Sequence, residues 1–147
     1  MTLGYGQEMN TDQNLELTET NIKKLFMLYP EWSYCSVSDS SYFSADTIML
    51  YSDIYYYLTT KCCYETTWNI SKSSTLNLAD TKVCQEPPLS IIDFEKRDLE
   101  FQFDKSGNFL KLTIHKNNII KDQFYFVSLD YIELRKDQFA YRLTLIR

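Results

Sequence analysis

The sequence predicts an all-β fold, an antiparallel up-and-down meander that closes into a barrel, with one short N-terminal helix. Three observations carry that expectation. From Trp32 onward apolar residues alternate with polar ones. The pattern is cleanest where Tyr64, Thr66, Trp68 and Ile70 share one face and Glu65, Thr67 and Asn69 the other, and it resumes at Leu76 and Leu78 after Lys72-Ser73-Ser74. The connections between such runs are short and turn-like, as in Asp104-Lys-Ser-Gly-Asn108 and Lys116-Asn-Asn118, which makes sequential strands antiparallel neighbours. Aromatics make up 16% of the 147 residues while Gly and Pro number three each, the composition of a folded, strand-rich chain. Eight or more strands with one apolar face each must bury that face and hide two edges, and closing the sheet does both. A two-layer sandwich is the alternative, but it carries longer crossovers than these connections provide.

Residues 1–18 are expected to be a flexible segment ahead of a single domain spanning 19–147. In Glu19 to Leu28, with Tyr29 just beyond, Ile22, Leu25, Phe26 and Tyr29 recur at helical spacing. Thr18 can cap the start, Glu19 complements the positive helix end, and Pro30 stops the helix. One apolar stripe means one buried face, so this helix is expected to act as a plug or lid packed against a sheet. Strands are predicted at Trp32–Val37, Thr47–Tyr51, Ile54–Thr60, Cys63–Ser71, Thr75–Asp80, Ser90–Phe94, Leu99–Asp104, Phe109–His115, Phe124–Leu129, Ile132–Arg135 and Phe139–Ile146, some of them fusing into longer bent strands. Pro87-Pro88 marks a rigid break that interrupts any ladder. The second half carries a weak echo: Leu99-Glu-Phe101 matches Ile132-Glu-Leu134, and Leu110–Ile114 matches Tyr141–Leu145, as two hairpins of one design would.

The charge is unevenly placed. Residues 1–60 hold eight acids against two bases, residues 61–147 twelve against thirteen, for a net −5. An acidic front half disfavours nucleic acid, which needs clustered Lys and Arg, and suits a basic protein partner. No run of apolar residues is long enough to span a membrane as a helix. Cysteines stand at positions 35, 62, 63 and 84, and His115 is the single histidine. Adjacent Cys62 and Cys63 point to opposite faces of a strand, so neither a metal site nor any cofactor is expected. The thiols are either buried and free, or Cys84 bonds Cys62 or Cys63 in an oxidising compartment. Met1 to Gln7 has no basic stretch and no apolar core, so as written it is not a signal peptide. Leu3 followed by Gly4-x-Gly6 does resemble the cleavage region of secreted Bacteroidetes-type proteins, which implies a periplasmic or secreted location; otherwise the location is cytoplasmic.

A helix leading into a Trp-bearing first strand, the hairpin Trp68-Asn-Ile70 to Thr75-Leu-Asn-Leu78, the run Ile91-Ile-Asp-Phe94 with Asp98-Leu-Glu-Phe101, and the terminal Leu143-Thr-Leu-Ile-Arg147 resemble the bacterial lipocalin-like domain proteins over Trp32 to Arg147. One position departs: the lipocalin signature has Gly two residues before the first-strand Trp, where this chain has Pro30. The resemblance implies an up-and-down barrel, non-enzymatic and often exported, whose interior holds an apolar ligand. It also suggests a cap in which Arg142 or Arg147 closes against Trp32.

The aromatic stripe is the most informative constellation. Alternation points Trp32, Tyr34, Tyr56, Trp68, Phe101, Phe103 and Phe126 inward. Such a stripe packs a core by default; in its functional reading Trp32, Tyr56, Trp68, Phe101 and Phe126 hold a small apolar ligand, since a barrel of about eight strands either just fills or leaves room for one. The outward faces carry Tyr42, Phe43, Tyr51, Tyr55 and Tyr57 among Asp39, Asp46 and Asp53. Tyr42, Tyr51, Asp53, Tyr55 and Tyr57 would form the surface of an inhibitor or immunity-type protein that neutralises a basic toxin or enzyme, the alternative being an ordinary tyrosine-rich exterior. No catalytic residue is expected. His115 lacks a neighbouring nucleophile motif and is expected on the surface, and Asp93/Glu95 and Asp98/Glu100, with Lys96 and Arg97 between them, are expected in a solvated turn. Asn69-Ile-Ser71 is a formal glycosylation sequon.

Overall fold

The computed structural model describes residues 15–36, 45–52, 64–72, 74–82, 87, 89–91 and 93–147. Helix α1 (Glu19–Leu28) occupies the predicted span. Thr18 accepts a hydrogen bond from the Asn21 N–H at 3.2 Å, and the Tyr29 N–H closes the last turn on the Leu25 carbonyl ahead of Pro30. The strands are β1 (Glu31–Ser36), β2 (Thr47–Tyr51), β3 (Tyr64–Ile70), β4 (Thr75–Lys82), β5 (Leu89–Ile91), β6 (Leu99–Ser106), β7 (Phe109–Lys116), β8 (Ile119–Arg135) and β9 (Gln138–Ile146). The predicted strand Ile54–Thr60 lies outside the described residues.

All pairings are antiparallel. The sheet runs β3-β1-β2-β9-β8-β7-β6-β4-β5, and a further β3–β4 ladder joins its ends, so eight strands close a barrel and β5 hangs on the rim against β4. From β3 to β9 the ring follows chain order apart from β5. At the seam, β1 sits between β3 and β2, and β2 completes the ring against β9 from Thr47↔Ile146 to Tyr51↔Arg142. Among the described residues, an all-β barrel with one short helix is therefore the architecture that alternation and short turns foretell, and closure leaves none of the eight ring strands with a long exposed edge.

Turn chemistry fixes the hairpins. Asn117 and Asn118 both take positive φ (52° and 65°) between β7 and β8, the two-residue geometry that follows strand twist and that Asn tolerates. Gly107 stands at φ 64° between β6 and β7, where a side chain is strained whatever space surrounds it.

Two predicted strands, Phe124–Leu129 and Ile132–Arg135, prove to be one. β8 is continuous over 17 residues and bends at a register shift between Phe126 and Ser128, which turns Val127 outward. The predicted strand Ser90–Phe94 is corrected: β5 ends at Ile91, and Phe94–Lys96 forms a 3-10 turn because the Asp93 carboxylate accepts the Glu95 N–H at 3.0 Å. Cys35 is disulfide-bonded. The expectation of free thiols is therefore corrected at Cys35, which the alternative pairing of Cys84 with Cys62 or Cys63 also left out, and its partner sulfur lies outside the described residues.

The core fills the ring. Trp32, Ile48, Leu50, Trp68, Leu76, Leu99, Phe101, Leu112, Ile114, Phe124, Phe126, Leu143 and Leu145 point inward, every strand of the ring contributing, and α1 adds Ile22, Leu25 and Phe26. Each such side chain contributes about 1.5–3 kcal/mol by burial.

Candidate functional site

Four of the five residues predicted to hold a ligand share the barrel core: Trp32, Trp68, Phe101 and Phe126. Tyr56 lies outside the described residues. Trp32 and Trp68 are register partners across β1 and β3, and the Trp32 indole N–H donates to the Tyr29 carbonyl at 2.6 Å. Phe26, which the sequence places on the buried stripe of α1 but not at this site, is the hub. Its ring lies edge-on to Trp32 at 5.7 Å and to Phe101 at 5.9 Å, while Phe103 stacks on Phe126 at 5.9 Å and Trp68 meets Phe124 at 6.0 Å. Trp32, Trp68 and Phe126 are at most 2% exposed, so the interior they line is occupied by their own side chains and by α1.

Space for a small molecule begins where the helix meets the rim. α1 crosses one end of the barrel between the β3–β4 turn and the β6–β7 turn and leaves a cleft on each side. The first, about 430 Å³, has an apolar floor of Phe26, Pro30, Ile70 and Phe101, with Met27 over it and Lys23 and Lys72 at its edge. The second, about 630 Å³, runs past Thr18, Glu19, Thr20, Lys105 and Asn108 and is mostly polar. A third, about 180 Å³, opens at the other end of the barrel beside Leu78, Leu99 and Ile114. The first combines an apolar bed with a volume in the range of about 300–1,000 Å³ typical of small-ligand sites. Of the predicted ligand residues, Phe101 borders it.

The opposite end is held by charges. Lys96 from the 3-10 turn pairs with Asp80 of β4, whose carboxylate also accepts the Thr66 hydroxyl at 2.6 Å, and both ionic side chains are less than one-fifth exposed. Glu95 pairs with Lys116 at 3.6 Å and Lys121 at 3.5 Å. Asp93 and Glu95 thus cap a turn and bind lysines, as a solvated turn requires.

The expected cation-π closure on Trp32 is corrected. The Arg147 guanidinium lies over Phe124 at 4.8 Å and pairs with Asp122 at 3.0 Å, and Arg142 binds Asp130 at 3.3 Å. Burial works against the Arg142 charge, but the Tyr51 hydroxyl and Asp130 outweigh it and raise its pKa. Tyr51 is likewise corrected as an exposed anchor: it is 8% exposed, packed with Cys35, Ile132 and Leu134. Tyr42, Asp53, Tyr55 and Tyr57 lie outside the described residues. His115, expected on the surface, is half-buried with its Nδ1 enclosed. On β3 the Glu65 carboxyl sits above the ordinary carboxylate range, raised by burial, lowered in part by the Thr67 hydroxyl and raised again by Glu31. Among the described residues no group of three or more His, Cys, Asp and Glu could hold a metal ion, and no helix is long and apolar enough to cross a membrane.

Among the described residues, ring closure, strand number and one short helix define a lipocalin-like β-barrel in architecture. No protein-family model, curated protein or solved structure matches the chain.

Proposed function

We propose that this chain is a non-catalytic binding protein related to the bacterial lipocalin-like domain proteins, and that it holds a small apolar ligand at the helix-covered end of its barrel. The observation that carries this reading is the cleft of about 430 Å³ between α1 and the β3–β4 hairpin, floored by Phe26, Pro30, Ile70 and Phe101. The ligand lies against the outer edge of the aromatic core, because Phe26 occupies the space further in. Such a bed binds by removing apolar surface from water, worth about 25 cal/mol per Å² before the cost of association. The other reading, neutralisation of a basic protein, rests on the acidic front half of the sequence. The burial of Tyr51 removes its one described anchor.

The test is titration calorimetry with 1-decanol, a neutral apolar probe. The expected result is saturable binding that Met27→Trp abolishes by filling the cleft; Met27 is 70% exposed, so this change leaves the core intact. Absence of binding by the folded wild type, or equal binding by Met27→Trp, overturns the reading.

A further inference from the structure

Closure of the barrel leaves β6 with a short unpaired overhang. On the side away from β7, β6 pairs with β4 at Leu99 and Glu100, and the Phe101 N–H donates to the Ser74 carbonyl at 3.1 Å. There the β3–β4 turn carries its chain away, while β6 runs on to Ser106. In an antiparallel ladder the N–H and C=O of one residue point to the same side, and those of its neighbours to the other. Phe101 faces β4, so Phe103 and Lys105 face that way too, whereas Gln102 and Asp104 bond β7 opposite Thr113 and Lys111. Among the described residues nothing pairs with the main chain of Phe103 or Lys105 on this edge. α1 meets Phe103 through its ring, with the Phe26 ring at 6.3 Å and the Lys23 amine at 5.7 Å, which is the inward face of the strand.

Independently of any ligand in the cleft, we infer that this overhang docks the C-terminal tail of a partner protein, added to the sheet as a strand antiparallel to β6. Such a tail lies in line with β4 and takes up the N–H and C=O groups of Phe103 and Lys105, the main-chain pairing by which extended peptides join open sheet edges. The β3–β4 turn favours a chain end. A strand in that position runs head-on toward Ser74, which already holds the Phe101 N–H, so the tail pairs with Lys105 and then Phe103 and stops.

Charge sets the direction. Lys72, in the β3–β4 turn, is exposed and pairs with no described carboxylate. A terminal carboxylate that accepts the Phe103 N–H can also face this amine, whereas a parallel strand would bring its N-terminal ammonium there. Cross-strand pairing then gives the tail a sequence. Its last residue opposes Phe103 and is apolar, the one before it opposes Asp104 and is basic, and the third from the end opposes Lys105 and is acidic. Glu-Lys-Val at a free C terminus meets all three.

The probe is acetyl-Thr-Val-Thr-Glu-Lys-Val with a free carboxylate, added to the full chain. In the free protein, amide exchange followed by NMR should be fast at Phe103 and Lys105 and slow at Gln102 and Asp104, and saturating probe should slow the first two about tenfold or more. Lys105→Pro removes a donor that no described group uses, leaves the β7 ladder intact, and should weaken the probe about tenfold in fluorescence anisotropy. Lys72→Gln, or the probe as its C-terminal amide, should weaken binding about three- to fivefold. Lys105→Pro should leave 1-decanol binding unchanged, which separates this edge from the cleft. Slow exchange at Phe103 and Lys105 in the free chain, or exchange there that the probe leaves unaltered, overturns the docking edge. An amide probe bound as tightly as the acid overturns the C-terminal assignment in favour of an internal strand. Protection that rises with protein concentration alone, with a dimer in sedimentation velocity, makes a second copy the occupant and overturns the partner tail.

Discussion

Trp68 shows what a single side chain does here. It is 1% exposed, opposes Trp32 on β1 and Leu78 on β4, and touches Phe124 across the barrel, so its removal opens a cavity that three strands cannot close together. Trp68→Ala should cost about 3–5 kcal/mol, read from guanidinium unfolding midpoints at constant slope. Glu65 gives the opposite kind of residue effect. Its folded pKa is raised, so the native state binds that proton more tightly than the unfolded chain does, and stability falls as pH climbs from about 4.3, the ordinary Glu value, through the raised folded value. Glu65→Gln should therefore be more stable than wild type at neutral pH and show a flatter melting-temperature profile across that interval; a parallel profile would mean that Glu65 titrates as in the open chain. At this scale much was legible. The inward positions of Trp32, Trp68, Phe101 and Phe126 follow from period-two alternation alone, because a strand has two faces and one must be dry. That Phe26 would fill the space between them was not legible, since helical periodicity says which face is buried and nothing about its partner.

At the scale of elements, α1 matches its predicted bounds because its signals are local: a capping Thr18, a stripe of Ile22, Leu25 and Phe26, and a proline stop. Thr18→Ala removes the acceptor for the Asn21 N–H and should cost about 1 kcal/mol. The same change should loosen both clefts that α1 borders, so hydrogen exchange should quicken in α1 and in the β3–β4 and β6–β7 turns ahead of the β7–β8 ladder. The echo between Leu99-Glu-Phe101 and Ile132-Glu-Leu134 shows where pattern matching stops. Both segments are strands, but Leu99 and Phe101 face the barrel interior, whereas Ile132 and Leu134 pack outside it against Tyr51. One extra residue at Val127 exchanges the faces of the residues that follow it in β8 as far as the second register shift between Glu133 and Arg135, and alternation carries no mark of a bulge.

For the molecule as a whole, the two ends of the barrel are closed by different physics. One end carries an apolar helix, the other the pair between Lys96 and Asp80 with the Thr66 hydroxyl on the same carboxylate. Asp80→Ala takes from a mostly buried ammonium its nearer carboxylate, leaving Asp93 at 4.0 Å, and should cost about 3 kcal/mol, whereas Asp80→Ala with Lys96→Met should recover most of that loss, because removing both charges also removes their desolvation cost. A double-mutant cycle read by chemical unfolding measures the coupling, and a coupling below about 0.5 kcal/mol would show that the pair closes the barrel without stabilising it. The short turns made the meander predictable. The seam was not, because nothing local distinguishes β2 pairing with β3 from β1 standing between them.

That seam sets an order of events as the chain folds. The strands from β3 to β9 that follow one another around the ring pair with near neighbours in sequence, so they can assemble as a six-stranded sheet at modest loop-closure cost. β2 cannot finish the ring until β9, the last of the described strands in sequence, is present to receive it, since Thr47 pairs with Ile146, 99 residues further along the chain. Until then β3 and β9 are open edges with unpaired amides and carbonyls, and a second nascent sheet could occupy them as well as β1 and β2 do. Speed of closure, more than depth of the core, thus decides whether such a chain ends as a lone barrel or as strand-exchanged multimers.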